Sequence, residues 1–188
     1  MKEEANTAKI ILELQDKFEL YDRTRRQLLE DLSGLNDDQL RKEPGLGEWS
    51  ILQVVQHMVL AELDVMQYLP EPKELIARKR GLRARIFYVV VLLILRWGIR
   101  VPVPSKGMVP DGIPSLAELR QQWDENLSWF RGYLDSLKPA DLNRAVFSHP
   151  IAGPLTGHQA GTLAQYHFDA HLRQINKAKA VVMAGSNG

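Results

Sequence analysis

The chain has 188 residues, enough for one sizeable core and a single domain. Its net charge of +1, with 45% hydrophobic and 25% charged residues, is ordinary for a globular protein and gives no case for nucleic-acid binding. The lack of cysteine excludes disulfides, thiolate metal ligands and a cysteine nucleophile, and it fits a cytoplasmic protein.

The opening "MKEEANTAKI" carries acidic residues and lacks the apolar core of a signal peptide. A first helix is expected from about Asn6 to Ser33, with Ile10, Leu14, Phe18, Tyr21, Leu28 and Leu32 as its stripe and Gly34 as its stop. "NDDQLRKEPGLGEW" reads as a loop. "SILQ" has the form of a capping box, which opens a second helix at Ser50. Its stripe is Val54, Val55, Met58, Ala61 and Val65, and it should end before Pro70.

A basic and apolar insert follows. Between Lys73 and Lys106 there are nine Lys or Arg against Glu74 alone, a balance of +8, so the remainder carries −7. Inside it "IFYVVVLLIL", residues 86–95, is too short for the roughly 20 residues that span a bilayer. Arg83, Arg85, Arg96 and Arg100 close it at both ends. A buried helix or strand is the plainest reading; a subunit interface or a membrane-surface contact is the sharper one. "RVPVPSKGMVPDGIP" is extended loop, because its prolines forbid helix and ladder.

A third helix opens at Ser115, where "SLAE" is another capping box. Leu116, Leu119, Trp123, Leu127, Phe130, Leu134 and Leu137 form its stripe, with Pro139 just past the end. "PADLNRAVFSHPIAGPL" is irregular. "TGHQ" then caps a fourth helix from Thr156 to about Met183. With no convincing series of strands, the fold class is all-α: a four-helix bundle with an extra insert between helices two and three. Residues 1–184 form the single domain and residues 185–188 a disordered tail.

Two histidines stand four apart in "YHFDAHLRQI". A step of four turns a helix by about 40° net, so His167 and His171 stack on one face. Two such imidazoles can reach one metal ion, and His57, on the inward side of the second helix, is the third candidate. The bland alternative is three satisfied core histidines. Three neutral imidazoles would leave a divalent ion with an open position for water or a substrate atom. Their softness favours Zn, Ni, Co, Cu or Fe over Mg or Ca, with Zn or Ni foremost. No general base is assigned: Glu62 is about 140° round the helix from His57, and Asp64 is about 10 Å along it.

The motifs together resemble the DinB-like superfamily, which includes the YfiT-type metal-dependent hydrolases. "GEWSILQVVQHMVLAE" is similar to its Trp–Ser helix opening and first ligand histidine. "FSHPIAGPLTGHQAGTLAQYHFDAHLRQI" is similar to its closing segment, with "HP", a G-x-L-T turn and H-x-x-x-H-x-x-Q-I. The span "IPSLAELRQQWDENLSWFRGYLDSL" fits its third helix. The resemblance implies a metal triad of His57, His167 and His171 and a homodimer. It also implies reactions such as thiol-dependent S-transfer using a low-molecular-weight thiol.

The leading expectation is therefore an enzyme, a thiol S-transferase or hydrolase acting on a small-molecule substrate. Trp49, His149 and Gln174 are its candidate pocket residues. For Trp49 simple packing is the competing role, and for His149 a place beside a turn proline. The alternatives are a non-catalytic metal- or ligand-binding stress-response module, and an interaction protein docking through residues 86–95. Of these contacts, a membrane surface is not the favoured one.

Overall fold

Three of the long helices begin where a side chain satisfies free backbone N–H groups. In the computed structural model Ser50 Oγ accepts from the Gln53 N–H while Gln53 reaches back to the Ser50 N–H, a complete capping box. Ser115 with Glu118, and Thr156 with Gln159, do the same. The structure describes residues 2–184 apart from Arg100, Pro104, Ile113, Pro139, Ala140, Leu142, Asn143 and Val146; of residues 2–8 and Ile10 it describes the backbone alone. The expectations for the Ile10 side chain, Arg100, Pro139 and the tail at 185–188 fall outside the described residues.

Among the described residues there are six α-helices: α1 (Lys2–Ser33), α2 (Asp37–Arg41), α3 (Ile51–Tyr68), α4 (Leu82–Trp97), α5 (Leu116–Ser136) and α6 (Gly157–Ala184). Strands β1 (Phe147–His149) and β2 (Gly153–Leu155) pair antiparallel, with Ser148 opposite Pro154. Single 3-10 turns lie at Pro72–Glu74 and Lys106–Met108. α1 packs on α5 and α6, and α3 packs on the same two helices; α4 lies against α6 and β2.

The apolar interior divides in two. One cluster joins the C-terminal half of α1, α2, the first turns of α3, Leu119 and Trp123 of α5, and Phe168, Ile175 and Ala178 of α6. The other joins Leu14, Val91 of α4, Tyr133 and Leu137, the hairpin, and Leu163. Trp123 and Phe168 are fully enclosed.

The structure departs from the sequence expectations at four places. The segment after Gly34 is not all loop: Asn36 caps α2 through its own capping box with Gln39, and five residues are too few for a periodic stripe to announce. The segment before Thr156 holds the hairpin, whose three-residue strands are too short to show alternation. Val65 is exposed, because α3 leaves the core after Ala61. The insert is helical but not buried: within 86–95 Val91 alone is buried, and Ile86, Val89, Val90 and Leu93 face solvent.

Candidate metal centre

The first turns of α3 are enclosed on nearly every side, from Ile51 to Val59. A polar residue there must find its partners inside. His57, 5% exposed, places Nδ1 2.7 Å from the Met108 carbonyl oxygen. A carbonyl can only accept, so Nδ1 carries the proton and Nε2 keeps its lone pair. Met108 ends the 3-10 turn, and that turn is fastened to α3. Ser105 Oγ donates to Asp64 Oδ1 at 2.8 Å, and Gln56 Nε2 donates to the Asp111 carbonyl at 2.8 Å. The proline-rich loop thus orients a histidine, a role its sequence gave no sign of.

α6 supplies the facing pair. Phe168 is its deepest residue here, while His167 and His171 are half-buried beside it. His171 Nδ1 lies 3.0 Å from Gln174 Oε1, so it too donates and leaves Nε2 bare. That Nε2 lies 3.1 Å from His167 Nε2. Two nitrogens this close need a proton or a cation between them. The ring of His57 stands 4.7 Å from that of His171 and 5.6 Å from that of His167.

The donor set fits a transition metal. At bond lengths of about 2.0–2.1 Å, tetrahedral ligand nitrogens stand roughly 3.4 Å apart, close to the observed His167–His171 spacing. One nitrogen from each of His57, His167 and His171 falls within 4.8 Å of the others. The electrostatics agree. Burial lowers the pKa of His57, against the Met108 carbonyl. Burial brings His171 down to about 4, with the His57 charge adding to it. His167 is held well below the usual range by burial, then by the charges of His171, His57 and His149. All three are neutral at pH 7, the form that ligates.

The three surrounding candidates fall in different places. The Trp49 ring stands 5.1 Å from that of His57, and Trp49 also packs on the core. Gln174 orients His171. His149 lies near enough to His167 to affect its charge, but its Nδ1 accepts the N–H groups of Ile151 and Ala152 at 3.2 and 3.0 Å, closing the hairpin turn. Its proton must therefore be on Nε2, which can donate but not accept.

Glu62 is enclosed between α1, α3 and α5. It accepts from the Tyr21 hydroxyl, from Trp123 Nε1 at 2.8 Å and from Asn126 Nδ2 at 3.4 Å. Burial raises its pKa to about 7. Sequence spacing puts it off the His57 face, as observed; what spacing does not show is that α1 and α5 meet it there, so that Tyr21, Trp123 and Asn126 surround the carboxyl. A cleft of about 400 Å³ lined by Arg96, Tyr166, Asp169 and Arg173 opens on a neighbouring face of α6.

These features define a mostly helical protein with a three-histidine cluster that could hold a metal ion. The family model for the DinB superfamily matches residues 20–175, and the chain belongs to that superfamily. It is similar to the uncharacterized protein YuaE of Bacillus subtilis (strain 168). The two are 23% identical over 172 residues, covering 85% of this chain and 95% of YuaE.

Proposed function

We propose that the protein is a metal-dependent enzyme that activates a thiol cofactor, or water, at His57, His167 and His171. One observation carries the reading: carbonyl acceptors on Met108 and Gln174 fix two imidazoles with Nε2 bare, beside a third imidazole. Such acceptors set tautomer and ring orientation at metal sites. Zn or Ni suits the three nitrogens. A bound divalent ion supplies Lewis acidity, lowering the pKa of a thiol or water that reaches the open position.

The chain's own residues set the rest. His167 and His171 are half-buried rather than sealed, which leaves a route for a small molecule. His149 offers Nε2–H as a hydrogen-bond donor to a substrate oxygen. Trp49 walls the His57 side with an apolar ring. Among the described residues no carboxylate belongs to the cluster. Water needs a base to take its proton, whereas a thiol, with a pKa of about 8.5, needs far less help. The thiol reading is therefore preferred over hydrolysis. A screen of low-molecular-weight thiols with electrophilic acceptors tests it. Turnover should require added Zn or Ni and vanish in His171→Ala; thiol consumption unaffected by metal or by that substitution would refute it.

A further inference from the structure

α4 is apolar on two faces, and the fold uses one. Toward the body Val91 is buried, and Tyr88, Leu92 and Leu95 pack with Leu155 and Leu163. Away from it Leu82, Ile86, Val89, Val90, Leu93 and Trp97 recur at helical spacing and stay in solvent. Leu82 is 74% exposed, Ile86 and Val89 53%, and Trp97 68%. Ile99 and Val101, also exposed, follow Gly98, whose left-handed φ of 64° ends the helix. Arg83 and Arg85 are exposed at one end of the strip and Arg96 at the other. Lys73, Arg78 and Lys79 are exposed on the segment leading in.

Charge selects the occupant. A second copy laid on the same strip would bring two +8 segments together, and like charges repel. An anionic lipid surface accepts both parts: apolar side chains enter the headgroup boundary, arginines meet phosphates, and a tryptophan at the end suits the interface. No helix among the described residues is long and apolar enough to cross a membrane. We propose that the α4 strip docks the protein on an anionic membrane surface, with the helix lying in the interface plane. The strip and the histidines belong to different elements, so this stands apart from the metal reading.

Co-sedimentation tests it, using vesicles of phosphatidylcholine with and without phosphatidylglycerol. Binding is expected to the anionic vesicles at low salt, little to the neutral ones, with release as salt rises to about 0.5 M. Val89→Ser with Leu93→Ser, and separately Arg83→Gln with Arg85→Gln, should each weaken partition roughly tenfold. Metal content and helical circular dichroism should stay at wild-type values. Equal binding to both vesicle types, no binding to either, or indifference to both double variants would overturn the proposal. So would a solution dimer that the Val89 and Leu93 pair breaks to monomer in a protein that ignores vesicles; the strip would then join two copies.

Discussion

His171 is held from both ring nitrogens, one by Gln174 and one by His167. Removing the Gln174 amide frees the ring to rotate and to change tautomer. Gln174→Ala should weaken Zn binding about tenfold while leaving the fold intact, as read by metal competition and circular dichroism. The neutral state of the triad gives a second expectation. Three histidines titrating at about 6.5 would release about two protons on binding Zn at pH 6. Imidazoles held below that range release fewer. Binding heats measured at pH 6 in buffers of different ionisation enthalpy should therefore show a proton release clearly smaller than that; a slope of about two protons would contradict the burial argument.

Glu62 gives a pH dependence of opposite character. Its carboxyl is raised from 4.5 to about 7 by burial, against the hydrogen bonds of Tyr21, Trp123 and Asn126 and the charge of Arg25. The folded state thus keeps a proton that the unfolded state has released. This group's contribution to stability falls as pH rises from about 4 to about 7, by roughly 3 kcal/mol, and is flat above. Glu62→Gln should remove that slope from denaturant-measured stability; an unchanged slope would place the titration elsewhere. The histidine triad was legible in the sequence because helical spacing alone puts 167 and 171 on one face. Met108 was not, since a backbone carbonyl donated by a loop leaves no trace in residue type.

Among elements, the helices that begin with a hydroxyl and a Gln or Glu three residues on were readable to within a residue. Their starts depend on local chemistry that tertiary packing did not need to override. Ser50 is fully buried at the start of α3, the helix that aims His57. Ser50→Ala should cost about 1 kcal/mol and weaken metal binding as well, because the first turn frays beneath Trp49 and His57. A loss of stability with unchanged metal affinity would mean that the core alone holds that turn. α2 and the hairpin escaped because their lengths give periodicity nothing to act on. α4 was found as an apolar run but mistaken for a buried one. Hydrophobicity reports what a face can bury, and the fold supplied cover for one side only.

At the scale of the molecule the histidines tie α3 to α6, and through Met108 they also fasten the long loop before α5. A metal that binds there binds the folded chain and not the unfolded one. Zn at about 100 times its dissociation constant should add roughly 2.7 kcal/mol. For a domain of this size that is a rise of about 5–10 °C in melting temperature, absent in His57→Ala. The most direct measurement is the metal content of protein purified without chelator or nickel column, beside a variant with His57, His167 and His171 all changed to Ala. One ion per chain, or ready uptake of added Zn or Ni, is expected for the wild type and neither for the variant. Wild-type protein that neither carries nor takes up metal, or a variant that binds as well, would make the three histidines core residues and remove the metal centre.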